Sequence, residues 1–218
     1  MSAAFSKVGH NGQIGIDESG KGDYFGPLVI AGVYVSQEQE ELLHAAGVRD
    51  SKAVADKKAA TLAEQIRALC PFTVVAIGPE RYNSLHASFK NLNKLLAWGH
   101  ARSIENLLEK VSCDRVVADQ FGDERFLLSA LMAKGRSITL VQKPRAEEEM
   151  AVAAASLVAR AEFLRRLQEL SRRYDVTLPK GASDLVITAG KTFVQRHGAD
   201  ALGHVAKLHF RTTERVLG

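Results

Sequence analysis

The sequence predicts an α/β fold, with a mixed β-sheet flanked by helices and a C-terminal helical appendage. Three observations predict it. Two adjoining strand patterns open the chain. Strand and helix patterns then alternate as far as about residue 145. Beyond that the pattern is almost wholly helical, and it grows basic towards the end.

In order, "QIGIDE" alternates, with Ile14 and Ile16 on one face and Gly15 and Asp17 on the other, which predicts a strand ending near Glu18. "GPLVIAGVYV" is apolar on both faces and predicts a buried central strand. The glycine-punctuated link "SGKGDYF" between them fits a hairpin. "SQEQEELLHAAG" opens on a Ser N-cap and closes on Gly47, a short helix. "DSKAVADKKAATLAEQIRALC" contains a longer helix ending before Pro71, and "FTVVAIG" is a strand. "NLNKLLAWGHARSIENLLEKV" has apolar residues at helical spacing. "DRVVADQ" is a short strand ending in a carboxylate, "DERFLLSALMAK" a helix and "SITLVQ" a strand. One long helix is predicted from Glu148 to about Tyr174, its Ala-rich first half able to approach a sheet closely. "LPKGAS" is a loop, followed by basic amphipathic helical stretches near 184–197 and 200–215.

A chain of 218 residues, 46% hydrophobic and 25% charged, suits one globular domain. The expected organisation is a short N-terminal tail over 1–12 and a single domain over 13–218. The opening "MSAAFSKVGHNGQ" is polar, unlike a signal peptide, and the longest apolar runs are too short to span a bilayer. Cys70 and Cys113 stand in no CxxC pattern, so reduced thiols in a cytoplasmic protein are expected, with no membrane partner and a monomeric state. Residues 1–159 carry 18 Lys and Arg against 19 Asp and Glu, whereas residues 160–218 carry 11 against 6. A near-neutral body with a basic C-terminal quarter suggests an anionic partner, and a solvated helical surface is the plainer alternative.

"GIDESGKGD" (15–23) is nearly a phosphate-binding P-loop, but Gly22 replaces the Ser or Thr, and Asp17 and Glu18 oppose phosphate. The carboxylates themselves are the better clue. Asp17 and Glu18 end the first strand, Asp119 ends "RVVAD", and Glu147 opens "EEE" before the Ala-rich helix. Strand ends at one sheet edge bring such groups together, and clustered carboxylates repel unless cations neutralise them. Oxygen-only ligands suit Mg²⁺ or Mn²⁺, and two such ions support phosphodiester hydrolysis. Each position also has an ordinary reading: a polar strand exit at 17–18, a turn or helix cap at Asp119, and a favourable helix-start charge at 147–149. Adjacent strand residues point to opposite faces, so Asp17 and Glu18 share a site only where the strand twists or ends. Gly20 and Gly22 permit close backbone approach, and Lys21 adds a cation.

These residues resemble a known family. "GIDESGKGDYFGPLVIAGVYV" is similar to the opening motif of the type-2 ribonucleases H, and more closely to that of ribonuclease HIII. "GVRDSK" (47–52), "VADQFG" (117–122), "RAEEEMAVAAASLVAR" (145–160), "LPKGAS" and "HVAKLHF" (204–210) agree with further family segments in the same order. The likeness runs over nearly the whole chain from about residue 13. It implies a ribonuclease H-like sheet and endonucleolytic hydrolysis of the RNA strand of RNA–DNA hybrids, with two divalent ions, Mg²⁺ or Mn²⁺. It makes Asp17, Glu18, Asp119 and Glu147 the catalytic and metal-binding set, with Glu148 and Glu149 as helix-start neighbours. Gly20, Lys21 and Gly22 correspond to the loop that reads the ribose 2′-hydroxyl, the group that distinguishes RNA from DNA. Lys52 is then a phosphate contact, and Ser156 and Arg160 lie along the substrate groove. Lys207 and His209 are weaker candidates.

Two departures from the family pattern matter. Ribonuclease HIII usually carries an N-terminal substrate-binding domain, which is expected to be absent from a chain with about a dozen residues before its first strand. The HII branch has a tyrosine after "KG" where this chain has Ala182. That favours cleavage within a run of ribonucleotides over HII-like cleavage at single embedded ones. A catalytically silent hybrid-binding module is the rival from outside the enzymes.

Overall fold

Alternation along the first strand decides how the layers pack. In the computed structural model, which describes residues 12–48 and 54–218, β1 (Gly12–Ser19) runs through the middle of a mixed five-stranded sheet. The chain continues through β2 (Leu28–Ser36), α1 (Gln37–Ala45), α2 (Asp56–Leu69), β3 (Phe72–Ile77) and α3 (Pro79–Phe89). It then forms α4 (Leu92–Leu108), β4 (Arg115–Asp119), α5 (Glu124–Ala130), β5 (Thr139–Lys143), α6 (Met150–Arg173), α7 (Asp184–His197) and α8 (Thr212–Leu217). The sheet order is β3-β2-β1-β4-β5. β1 pairs in parallel with β4, Ile16 opposite Ala118, and β4 in parallel with β5, Asp119 opposite Lys143.

The chain divides into two compact units. One takes residues up to Glu18, Ile30–Val75 and Asn91–Ala161; the other takes Ser19–Val29, Ala76–Lys90 and Glu162–Gly218.

In the first unit the helices close on the sheet where side chains are small. A Cβ on Gly15 would lie 2.1 Å from the backbone carbon of Ala151, so the Ala-rich start of α6 rests directly on β1. On α4, a Cβ on Gly99 would meet Ile30 Cδ1 at 2.7 Å. β2 is buried from Leu28 to Val35, as its two apolar faces predict. α1 has the expected start: Ser36 accepts from the Gln39 N–H, and the Gln39 side chain accepts from the Ser36 N–H. Asn91 and Asp123 cap α4 and α5, each accepting backbone N–H from the first turn at its side-chain oxygen.

In the second unit, α3 is a helix that the hydrophobic pattern does not announce. Pro79 stands at its first turn, but only Pro79 and Tyr82 are buried, too few to mark a stripe. Two long-helix expectations also need correction. α6 begins at Met150, not Glu148, because Arg145 takes a left-handed conformation (φ 55°) and 146–148 form a tight 3-10 turn. The Glu149 carbonyl then accepts the Val152 and Ala153 N–H groups, starting the helix. The stretch 200–215 is not one helix. Its 3-10 turn (Ala199–His204) ends where Ala206 bridges Phe25 and the Lys207 N–H is taken by the Tyr24 carbonyl. Backbone groups paired elsewhere cannot continue a helix. α5 likewise stops at Ala130, short of the expected Lys134, as Leu131 turns extended.

Candidate active site

The end of β1 carries two carboxylates, and pleating sends them to opposite faces. Asp17 shares the Gly15 face, beneath α6, and there the Ser156 hydroxyl hydrogen-bonds its carboxyl. The Glu18 N–H also donates to Asp17 Oδ1, at 2.8 Å. Glu18 turns the other way, its Oε2 lying 3.0 Å from His100 Nε2 on α4. Asp119 ends the neighbouring parallel strand, one residue beyond the Ile16–Ala118 pair.

The three carboxylates feel one another. Burial first, then the Glu18 charge, push the Asp17 carboxyl up to about 8, and Asp119 adds to that push. The Ser156 hydroxyl and the Glu18 N–H act against it. A site that penalises its own negative charge in this way is one that a cation would relieve.

Asp119 also shapes the turn after β5. Its Oδ1 accepts the Ala146 N–H at 3.2 Å, tying the 3-10 turn that carries Glu147 to the end of β4. Of the three consecutive glutamates, Glu149 is committed to Lys143 at 2.6 Å and Gln13 at 2.9 Å. Those two bonds, Lys143 first, hold its carboxyl below the usual range. Glu147 and Glu148 instead line an open groove of about 510 Å³ with His44, Arg145 and Met150. Among the described residues, no three Asp, Glu, His or Cys side chains converge closely enough to hold an ion. Three of the carboxylates have a protein partner: Ser156 at Asp17, His100 at Glu18 and the Ala146 N–H at Asp119.

In the second unit, Gly20, Lys21 and Gly22 open a loop whose glycines differ in purpose. Gly20 has φ 88°, and a Cβ there would lie 2.2 Å from the Pro27 carbonyl oxygen, so only glycine fits. Gly22 is exposed, and a Cβ there would meet nothing. Packing within the fold does not explain that glycine.

The stretch after this loop is held on two sides. Gly181 donates to Asp23 Oδ1 at 2.6 Å and accepts from the Tyr24 N–H at 2.9 Å. The Gly26 N–H donates to Val205, and Phe25 bridges Ala206. Lys207, whose side chain is wholly buried, donates through Nζ to the carbonyls of Asp23 and Gly26, each at 2.7 Å. "LPKGAS" and "HVAKLHF" thus serve to fix the loop, and Lys207 faces the fold's interior. His209 stacks on His86 at 4.2 Å, and burial, aided by His86 and Lys207, pushes its imidazole down to about 4.

On α6, Ser156 lies against Asp17, while Arg160 pairs with Asp56 at 2.5 Å. Lys52 lies outside the described residues. His100 is the residue that sequence reasoning missed. Its signal was a histidine on the buried stripe of α4, four residues from both Leu96 and Ile104.

A family model described as Ribonuclease HII matches residues 14–213. A ribonuclease HIII of Protochlamydia amoebophila is 47% identical, the match covering 98% of this chain and 71% of that protein. A ribonuclease HIII of Chlamydia pneumoniae is 46% identical over 94% of this chain and 70% of its own. The crystal structure of Bst-RNase HIII in complex with Mn²⁺ superposes with a TM-score of 0.89 at 33% identity, covering 96% of this chain and 70% of that one. With carboxylates at the adjoining ends of β1 and β4 and this agreement along the sequence, the chain belongs to the ribonuclease HII family of endoribonucleases, and within it to the ribonucleases HIII.

Proposed function

We propose that this endoribonuclease hydrolyses the RNA strand within runs of ribonucleotides in RNA–DNA hybrids, leaving 3′-hydroxyl and 5′-phosphate ends. The observation that carries the reading is the placement of Asp17, Glu18 and Asp119 at the adjoining ends of the parallel strands β1 and β4. The donor set fits hard divalent cations. It offers only oxygen, and its crowded negative charge is relieved by a cation of the Mg²⁺ or Mn²⁺ kind. Asp17, Glu18, Asp119 and Glu147 would hold two such ions. Bound there, the ions supply charge neutralisation at the scissile phosphate and activation of the attacking water.

The chain's own residues do the remaining work. Ser156 fixes the rotamer of Asp17 through its hydroxyl. The Asp119 carboxylate anchors the Glu147 turn through the Ala146 N–H. Gly20, Lys21 and Gly22 present backbone to the ribose 2′-hydroxyl, and the open space above Gly22 supports that role. Arg160, steadied by Asp56, lies along the proposed substrate groove, and Lys52 is the proposed phosphate contact. Ala182, exposed beside Gly181, supplies no phenol for reading an RNA–DNA junction, which supports the hybrid reading over the single-ribonucleotide one.

No helix among the described residues is long and apolar enough to cross a membrane. A cytoplasmic monomer, with residues 13–218 acting as the catalytic domain, completes the proposal. Cleavage of end-labelled duplexes tests it. With Mg²⁺ or Mn²⁺, a uniform RNA–DNA hybrid is cut, and a DNA duplex with one embedded ribonucleotide is spared. Efficient cutting at the single ribonucleotide would transfer the chain to junction cleavage, and binding of hybrid without any cutting would favour the silent module.

A further inference from the structure

Glu18 is met from the helical layer by His100 on α4. His100 is wholly buried, and its Nε2 stands 3.0 Å from Glu18 Oε2, on a carboxylate that is itself only 10% exposed. Two packing contacts fix the ring. The close fit of Gly99 on Ile30 sets the height of α4 above the sheet, and Phe121 lies against the imidazole with ring centroids 4.6 Å apart.

The other nitrogen settles the tautomer. Nδ1 is buried and has no hydrogen-bond partner among the described residues. An N–H there would be a buried, unsatisfied donor, so the proton sits on Nε2 and points at the carboxylate. His100 is therefore a one-armed donor, and all of its polar function goes to Glu18. A histidine kept only for packing would have no need of that arm, since an apolar residue fills such a pocket without burying an unpaired Nδ1.

The geometry points to His100 as a positioning residue that holds the Glu18 carboxylate in the orientation needed to ligate a divalent ion. This rests on the reading of Glu18 as a metal ligand given above. Ligating carboxylates are commonly steered by a hydrogen bond from behind, and loss of such a partner typically weakens metal binding by about 10- to 100-fold.

The test is Mn²⁺ affinity, measured by calorimetry on the full chain without substrate. His100→Leu and His100→Phe remove the donor while filling the pocket, and the Phe variant keeps the measurement available should Leu not fold. His100→Gln restores the donor, because its amide nitrogen stands four bonds from Cα, as Nε2 does in histidine. The expected result is binding weakened by about 10-fold or more in Leu and Phe and returned to within a few-fold of wild type in Gln. The Mn²⁺ concentration giving half-maximal cleavage should move in parallel, with the rate at saturating metal little changed. Wild-type affinity in the Leu or Phe variant would overturn the proposal, and so would equal loss in Phe and Gln. A Glu18→Gln control separates the two readings: if it binds Mn²⁺ as wild type does, the ligand assignment itself is wrong.

Discussion

The ammonium nitrogen of Lys207 lies 2.7 Å from the carbonyl oxygen of Gly26, inside a fold that leaves none of the lysine side chain exposed. A second carbonyl, that of Asp23, is equally close, and the Tyr82 ring lies 5.6 Å away. Burial pushes the Lys207 ammonium down to about 7, with Asp23 opposing. A neutral amine still has the two N–H groups that the two close carbonyls require. In the unfolded chain the same group titrates near its ordinary value of about 10.4. Between these values the unfolded state binds the proton more readily, so stability rises with pH from about 7 to about 10. The slope is at most about 1.4 kcal/mol per pH unit. Urea unfolding at pH 7, 8 and 9 checks it, with Lys207→Met as the reference that lacks this slope. Met also strands two buried carbonyls, and its cost at pH 9 should be about 2 kcal/mol or more. Identical slopes in the two proteins would mean that Lys207 stays charged throughout.

Gly15→Ala tests the contact that brings α6 onto the sheet. The new Cβ would lie 2.1–2.3 Å from the backbone of Ala151 and Val152. Backbone on both sides cannot give way as a flexible side chain can, so the helix must shift. The expected loss is about 3 kcal/mol, at the upper end of overpacking costs. A melting temperature within a degree or two of wild type would show that α6 has slack over β1.

The sequence was most legible where one residue's chemistry has one structural meaning. The Ala-rich start of the long helix foretold a close approach to the sheet, and alternation through Asp17 and Glu18 foretold carboxylates on opposite faces. The carboxylate at the end of "RVVAD" was visible for the same reason, since a short apolar run ending in Asp sets a strand end. His100 was not legible. A histidine on a buried stripe reads as packing until its partner, 82 residues away on β1, is known. The place of Lys207 was not legible, because "HVAKLHF" mimics helical spacing and a lysine in a basic amphipathic stretch gives no sign of burial. Its burial depends on three segments meeting around it, and no local pattern carries that information. α3 escaped because its buried residues are too few to make a period.

Ser156 ties α6 chemistry to α6 packing. Its hydroxyl is one of two groups that lower the Asp17 carboxyl against burial and charge crowding. Hydrogen bonds to charged groups contribute about 1.5–3 kcal/mol, so Ser156→Ala should reduce cleavage of a hybrid roughly 10- to 100-fold. The fold should hold, because Ala fits any space that Ser fills. Steady-state kinetics beside a thermal melt checks both halves. Wild-type turnover would remove Ser156 from the site, and a collapsed melt would make its role structural.

Asp17→Asn and Asp119→Asn decide whether the coupled carboxylates serve the reaction. Each change is nearly isosteric, and an amide at Asp17 cannot carry the charge that burial and the neighbouring carboxylates oppose there. Metal-free Asp17→Asn should therefore unfold at the same temperature as wild type or higher. Hydrolysis should fall to background in both variants, because an amide is a far weaker ligand for a hard cation than a carboxylate. The pairing of the two readouts makes the test sharp. Loss of cleavage with a lowered melting temperature would indicate a damaged fold, whereas loss with an unchanged or raised one isolates the chemistry. Full hydrolysis by either purified variant would remove that carboxylate from the reaction.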